Sequence, residues 1–290
     1  MPPYETPAAL RAALDARLAS RSRETNTDPE RLRRRAVFER LLVRLILVEP
    51  DQWILKGGMA LEVRLGDKAR ATKDLDLALR DAGADGNAVR ERLIDCLGHD
   101  PEEDWFEFLV GVPAEISPDQ AGRPGWRFSV ESRLGGKTFA RVVVEVVARA
   151  EEISKTVHVS LPGVLDFAGI GPREVEVVDP AQHFAEKVHA LTRSYGDRPN
   201  SRVRDLVDLV LLIDDGLAPT DELLGIVDHV FRERATHDVP PELPDPPAFW
   251  RDDYPARAEP LDVSAQTLDD AMALTRRFWA ELLKHRDQED

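Results

Sequence analysis

Residues 53–79 decide the fold of the chain, and they read WILKGGMALEVRLGDKARATKDLDLAL. A short apolar run before Gly57 and Gly58 predicts a strand that breaks at the two glycines. After a short helix and a polar loop, charged and apolar residues alternate from Asp74 to Leu79, which is typical of a strand with one buried face. Because side chains alternate across a strand, we expect Asp74 and Asp76 to lie side by side on one face.

The rest of the chain adds strands before residue 150 and helices after residue 180. Apolar periodicity and end signals predict strands at 105–112, 126–133 and 138–148, and helices at 8–19, 30–49, 86–98, 180–194, 202–215, 220–234 and 264–285. Proline and glycine are frequent in 160–180, which favours a connection there. The sequence therefore predicts an α/β (α+β) fold, with a mixed-sheet lobe at 1–160 and a helical C-terminal lobe at 161–290.

Composition excludes several classes of protein. The chain has 290 residues, of which 42% are hydrophobic and 32% charged, as in folded water-soluble proteins. We find no apolar run near the roughly 18 residues that a membrane span needs, and the N-terminal residues lack a secretory signal. Cys96 is the only cysteine, which excludes disulfides and cysteine-based zinc sites. We therefore expect a cytoplasmic protein with no membrane segment.

The formal net charge of −15 opposes non-specific binding to nucleic acid, because that binding needs Lys and Arg to neutralise phosphates. One basic run lies in the predicted helix 30–49, and its members are Arg31, Arg33, Arg34, Arg35, Arg40 and Arg44. The run is either the solvated face of an amphipathic helix or a surface that contacts phosphate.

Three groups of residues near the glycines indicate chemistry on nucleotides. At a strand-to-helix turn, Lys56-Gly57-Gly58 lets backbone amides and a helix N-terminus approach the phosphates of an NTP. Asp74 and Asp76 offer the hard oxygen ligands that Mg²⁺ prefers. Glu145 interrupts a run of valines and is the candidate third metal ligand. The alternative is that these carboxylates lie on the exposed face of an edge or antiparallel strand.

A second charged cluster lies in the predicted helical lobe. Asp205 and Asp208 are three residues apart, and Arg204 and Asp208 are four apart, so each pair shares a helix face. One interpretation is ion pairing between helices. In the other, Lys187 and Arg204 clamp a triphosphate, while Asp205 positions the lysine or contacts the acceptor.

Four blocks of sequence together resemble the AbiEii/AbiGii toxin family of nucleotidyltransferases, which includes MenT-like toxins. The blocks are Leu55–Leu61, Arg70–Leu77, Glu186–Leu191 and Arg202–Leu209. The resemblance implies a polymerase-β-like nucleotidyltransferase lobe, with the active site in the groove between it and the helical lobe. It also implies a role for each matched position: Gly57 and Gly58 as the phosphate turn, Asp74 and Asp76 as metal ligands, Lys187 and Asp205 as the pair from the second lobe, and Arg70 as a further phosphate contact.

The function that the resemblance implies is transfer of a nucleoside monophosphate from an NTP, with Mg²⁺ or Mn²⁺, to the 3′ end of tRNA. Such a modification would block aminoacylation and translation. The protein would then be the toxin of a toxin–antitoxin or phage-defence system, with its antitoxin encoded nearby.

Two positions depart from the family pattern. Many relatives have Gly-Ser where this chain has Gly57-Gly58, so a hydroxyl contact to the triphosphate is expected to be missing. Arg204 stands where lysine is usual, which changes the geometry of phosphate binding. Two other functions remain open: a nucleotidyltransferase for a small-molecule or protein acceptor, and a nucleotide-binding module without catalysis that acts through a partner.

Overall fold

The computed structural model describes residues 4–80, 85–116, 124–147 and 150–286. Its centre is a mixed eight-stranded sheet in the order β3-β5-β6-β2-β1-β8-β7, with β4 also paired to β5. The strands are β1 Trp53–Lys56, β2 Asp74–Leu79, β3 Phe106–Val110, β4 Ala114–Ile116, β5 Gly125–Leu134, β6 Lys137–Val147, β7 Thr156–Ser160 and β8 Glu174–Val178. The expected mixed sheet is therefore confirmed.

The β2 strand lies in the middle of this sheet. It pairs antiparallel with β1 and parallel with β6, and β1 in turn pairs parallel with β8. The alternative that Asp74 and Asp76 lie on an edge strand is therefore wrong. Leu75 and Leu77 point into the core and are fully buried, whereas the two aspartates are half-buried on the opposite face.

The helices form two groups. They are α1 Pro7–Thr25, α2 Pro29–Val48, α3 Gly57–Leu65, α4 Gly86–Gly98, α5 Pro180–Thr192, α6 Val203–Asp214, α7 Asp221–Arg234, α8 Trp250–Ala258 and α9 Leu268–Leu283. The first group, with α2 at its centre, shares a buried apolar cluster with the sheet. A second buried cluster joins α5 to α9, which confirms a helical C-terminal part. In the described part of the chain, no helix is long and apolar enough to cross a membrane.

All predicted helices and strands are present, but α1 ends six residues beyond its predicted end at residue 19. The ends of the others lie within four residues of the prediction. Four α-helices and strands of the described chain were not predicted. These are β4, β7, β8 and α8. The expected connection at 160–180 is wrong over β8, whose alternation of exposed and buried residues fits a half-buried strand. Residue 148, the expected end of the strand predicted at 138–148, lies outside the described residues. The lobe limits 1–160 and 161–290 stay a prediction.

The six arginines of α2 contact carboxylates of this chain. Arg40 and Arg44, which are 1% and 2% exposed, both bind Asp104 in the core. Arg31 and Arg35 bind Glu62, which is also buried. Arg33 pairs with Asp15, and Arg34 lies 4.0 Å from Asp28. The basic run is therefore an internal ion-pair network that ties α2 to its neighbours, and not a solvated face.

Candidate active site

The turn between β1 and α3 is shaped by Gly57. Its φ of +61° belongs to the left-handed region, which glycine adopts without a steric penalty. A Cβ on Gly57 would lie 1.8 Å from Oδ2 of Asp76, so any side chain would displace that carboxylate. Because only glycine fits, the N-terminus of α3 lies directly against the aspartate.

Gly58 is equally confined, but by different neighbours. A Cβ there would lie 2.7 Å from Oγ1 of Thr72 and 3.3 Å from Nη1 of Arg70. Thr72 is buried, and its hydroxyl donates to the carbonyl oxygen of Asp74 at 3.2 Å. A serine side chain at residue 58 would meet Thr72. The Thr72 hydroxyl thus lies in the space where the serine side chain would stand.

Three carboxylates come together on β2 and β6. Asp76 is the register partner of Glu145 across the parallel pair, and of Lys56 across the antiparallel pair. Asp74 shares the face of Asp76, as expected from the alternation. Glu145 is 20% exposed and accepts a hydrogen bond from Nε of Arg127 at 2.8 Å. The structure therefore brings Asp74, Asp76 and Glu145 to one edge of the glycine turn.

The charges around Asp76 are poorly balanced. Burial raises the pKa of Asp76, the negative charge of Glu145 raises it further and Lys187 opposes this, so that the pKa is about 7. Among the described residues, Asp74 and Asp76 have no ion-pair partner. The ionised form of such a carboxylate is disfavoured by burial and by nearby negative charge, and a bound cation would stabilise it.

The donor set fits a hard divalent cation in its chemistry, since it consists of carboxylate oxygens. Within the described residues, however, no group of three or more His, Cys, Asp or Glu side chains is arranged so that it could hold a metal ion. Glu145 is engaged with Arg127, so it would have to leave this arginine to join Asp76 on a metal. The metal-ligand role of these residues stays a prediction.

On the helical side of the groove, the charges are balanced. Nζ of Lys187 lies 2.8 Å from Oδ1 of Asp205 and 2.9 Å from Oδ2 of Asp208. Arg70 donates from Nε and Nη2 to the two oxygens of Asp208, at 2.6 and 2.8 Å. The expected ion pairing between helices is present, but Asp208 binds Arg70 and Lys187 instead of its helix neighbour Arg204.

The pairing fixes the protonation states of this cluster. Burial by itself would lower the pKa of Lys187 and raise that of Asp208. The opposite charges outweigh burial in both cases, so the pKa of Lys187 is raised and that of Asp208 falls well below its usual range. Lys187 therefore carries a permanent positive charge at the groove.

Two chambers meet at Asp76, Lys187, Arg202 and Asp205, which line both of them. The larger one, with a volume of about 630 Å³, contains Asp74 but not Glu145, and we call it the Asp74 chamber. The other has a volume of about 260 Å³ and contains Glu145 but not Asp74, and we call it the Glu145 chamber. The groove between the lobes thus offers two spaces on either side of one carboxylate.

The predicted site residues are distributed between these chambers. Gly58, Arg70 and Arg204 line the Asp74 chamber, whereas Lys56 and Gly57 line the Glu145 chamber. Lys56 is buried and pairs with Glu186 at 3.1 Å, so its charge is already compensated. Arg204 is exposed.

Several residues at the site were not singled out from the sequence. They are Arg193 and Arg202 at the rim, Asp253 and Arg257 on α8, and His183 in the Glu145 chamber. His183 is 1% exposed, and neither ring nitrogen has a hydrogen-bond partner among the described residues. Burial, and then Lys187, lower the pKa of His183, so it is neutral. No local spacing marks these residues, whereas Asp208, which the sequence placed on one helix face with Asp205, contacts Lys187 as part of the ion-pair cluster.

Comparison with known proteins gives a family match for this chain. Residues 40–278 match the family described as "Nucleotidyl transferase AbiEii toxin, Type IV TA system". The curated proteins give no match. The solved structures that are similar over much of their length include the following two proteins. JHP933 from Helicobacter pylori is 14% identical with a TM-score of 0.44, covering 88% of this chain and 94% of its own. An antigenic nucleotidyltransferase-like protein from Paracoccidioides brasiliensis is 18% identical with a TM-score of 0.41, covering 69% and 88%.

The family match covers 239 of the 290 residues, and it includes the glycine turn, the three carboxylates and the cluster around Lys187. The family comprises toxins of type IV toxin–antitoxin systems, so an antitoxin partner follows from membership. The chain therefore belongs to the AbiEii family of nucleotidyl transferase toxins.

Proposed function

We propose that this toxin transfers a nucleoside monophosphate from an NTP to the 3′ end of tRNA in the cytoplasm, with Mg²⁺, and so blocks translation. The observation that carries the proposal is the position of Asp76. It lies against the N-terminus of α3, beside Glu145, and at the junction of two chambers. Two substrates can therefore reach one carboxylate from opposite sides.

The Asp74 chamber suits the triphosphate. Six basic side chains line it, namely Arg70, Lys73, Lys187, Arg202, Arg204 and Arg257. Gly58, near the N-terminus of α3, also lines it, and helix N-termini attract phosphate. Nη1 of Arg70 lies beside Gly58 while its other nitrogens hold Asp208, so a fixed guanidinium is presented to the chamber.

We assign the acceptor to the Glu145 chamber, because this chamber reaches Asp76 from the side opposite to the one assigned to the triphosphate. In the proposed reaction, the acceptor's 3′ hydroxyl loses its proton to solvent and its oxygen attacks the α-phosphorus, which forms a new phosphodiester. The bond from the α-phosphorus to the oxygen shared with the β-phosphorus breaks, and pyrophosphate leaves. When bound, Mg²⁺ would lower the pKa of the attacking hydroxyl and would stabilise the leaving group. Asp74, Asp76 and Glu145 would hold the metal, once Glu145 leaves Arg127.

Lys187 is positioned for the transferring phosphoryl group because it lines both chambers. Asp205 and Asp208 fix its ammonium group, so no reorganisation is needed when negative charge develops. Asp205 and Asp208 act in this scheme as positioning residues. Support for the antitoxin comes from the family, and we propose that it is encoded next to this gene.

The test is transfer of label from each α-labelled NTP to total tRNA in Mg²⁺, compared with Asp76→Asn. Asp95→Asn, the same change at an exposed position on α4, is the matched control. A parallel sample of tRNA is oxidised with periodate, which destroys the 3′-terminal diol. We expect label on intact tRNA only, at a rate that Asp76→Asn lowers about 1,000-fold or more.

Each other outcome rejects a defined part of the proposal. Label on oxidised tRNA would exclude the 3′ end as the acceptor. Label on a small molecule or on protein, and none on tRNA, would favour the corresponding transferase. NTP binding with no transfer to any acceptor would favour a binding module that acts through its partner.

A further inference from the structure

The loop that joins α5 to α6, residues 193–202, carries arginines that differ from those of α2 in having few carboxylate partners. Arg198, Arg202 and the following Arg204 are exposed, and Arg193 is half-buried. Among the described residues, none forms an ion pair with Arg193, Arg198 or Arg204, and the nearest carboxylate to Arg202 is Asp205 at 3.8 Å. The six arginines of α2, in contrast, all have carboxylate partners. The loop, which holds three arginines and Asp197, therefore has a net charge of +2 in a chain of net charge −15.

Tyr195 holds two of these arginines in place. The guanidinium carbon of Arg193 lies 4.8 Å from the centre of the Tyr195 ring, and that of Arg202 lies 5.6 Å from it. The tyrosine hydroxyl donates to the carbonyl oxygen of Ala190 at 2.7 Å and accepts from Nε of Arg202 at 2.9 Å. Both guanidinium groups are thus ordered around one ring before any ligand binds.

The loop backbone is also fixed at its far end. Nδ2 of Asn200 donates to the carbonyl oxygen of Leu191 at 2.7 Å, and Nε1 of Trp250 donates to the carbonyl oxygen of Asn200 at 2.9 Å. The first contact ties the loop to α5 and the second ties it to α8. Such a preorganised loop loses little conformational entropy when a ligand binds.

The position of the loop indicates which substrate it meets. Arg193 lines the Glu145 chamber, and Arg202 lines both chambers. The loop therefore lies at the opening of the space assigned to the acceptor. Arginines that are ordered on an aromatic ring, in a loop of net positive charge, suit the phosphates and unstacked bases of a single-stranded nucleic acid.

We propose that the loop of Arg193, Tyr195, Arg198 and Arg202 is the docking surface for the single-stranded 3′ end of a nucleic-acid acceptor. The inference rests on the proposed function, because it requires the acceptor to be a nucleic acid. Arg193 and Arg198 bind backbone phosphates, and Tyr195 keeps Arg193 and Arg202 oriented towards the groove. The overall negative charge of the protein repels nucleic acid elsewhere and so directs it to this loop.

The test measures binding by fluorescence anisotropy, with a labelled single-stranded RNA oligonucleotide that has a free 3′ hydroxyl and no NTP. Arg193→Ala with Arg198→Ala should weaken binding about 10-fold or more near 0.1 M salt, and should lower the slope of log K against log salt by about 1.4. Arg193→Lys with Arg198→Lys should restore most of that slope. Binding of a fluorescent NTP should be unchanged, because neither residue lines the Asp74 chamber.

The matched control is Arg23→Ala with Arg141→Ala, two exposed arginines on α1 and β6. Equal RNA affinity for the loop variant and this control would overturn the docking surface, and so would an absence of RNA binding by the unmodified protein. The two proposals fail separately. Loss of binding only in the loop variant, with no transfer to tRNA by the unmodified protein, would keep the docking surface and reject the transfer reaction.

Discussion

Two walls face each other across the groove: the sheet wall, formed by β2 and β6, and the helical wall, formed around Lys187. They carry similar numbers of charged side chains, but the charges are balanced only on the helical wall. On the sheet wall, Asp74, Asp76 and Glu145 crowd together, and the pKa of Asp76 rises to about 7 through burial and then through Glu145. On the helical wall, Asp208 is fully buried yet contacts both Arg70 and Lys187, which hold its pKa well below the usual range. One wall has an excess of negative charge, whereas the other is balanced.

On the sheet wall, a ligand would have to balance the charge of the carboxylates. On the helical wall, the charged residues balance one another. Like charges held together in a half-buried site reduce stability, and such a site persists where function requires it. A balanced buried cluster keeps its geometry without a ligand. We infer that the sheet wall binds substrate groups directly and that the helical wall holds Lys187 at a fixed place.

Breaking the balance of the helical wall should have the largest effect on stability. Asp208→Asn leaves Arg70 and Lys187 partly buried with less negative charge between them, so we expect a loss of about 3–5 kcal/mol in the free energy of unfolding. Urea denaturation measures it. Asp215→Asn, the same change at an exposed position after α6, should cost less than about 0.5 kcal/mol. A loss below about 1 kcal/mol in Asp208→Asn would show that the cluster is not structural.

The same substitution on the sheet wall should act in the opposite direction. Asp76→Asn removes a charge that burial and Glu145 disfavour, so at pH 8 without metal we expect a gain of roughly 1–3 kcal/mol in stability. The variant should fold normally and yet fail in transfer. Asp95→Asn is again the exposed control. A destabilised Asp76→Asn would mean that its carboxylate has a structural role, and the contrast between the walls would not hold.

Much of the fold followed from local sequence patterns, and the missing parts have either non-local causes or neighbouring residues that oppose the element. The alternation in 74–79 was sufficient to predict β2 and the shared face of its aspartates, because that face depends only on the period of a strand. The β8 strand was missed because it pairs with β1, more than 100 residues earlier, within a segment rich in turn residues. The α8 helix was missed because Pro255 lies within it.

The site shows the same division. Adjacent glycines marked the turn, but the reason for Gly57, a carboxylate 1.8 Å from its absent Cβ, depends on how β1 pairs with β2. The partner of Asp208 is 138 residues away, so no helix spacing could identify Arg70. The arginines of α2 formed the most conspicuous basic run in the sequence, but they are internal ion pairs. Counting charges cannot distinguish them from the loop of Arg193 and Arg202, because the difference lies in where the carboxylates are.

The smallest expected effect that distinguishes the two walls is on the pH dependence of the free energy of unfolding, measured without metal. Asp76 has a folded pKa of about 7, which is above its ordinary unfolded value, so its charged form reduces stability at high pH. This penalty is complete above pH 7 and disappears as the pH falls towards 4, because the folded protein then binds a proton that the unfolded chain does not. Between pH 8 and pH 6, the stability of the unmodified protein should therefore rise by about 1 kcal/mol relative to Asp76→Asn. Urea denaturation of both proteins in EDTA measures the difference. If the two proteins had parallel profiles of stability against pH, the charge of Asp76 would already be balanced by neighbouring residues, as the charges of the helical wall are.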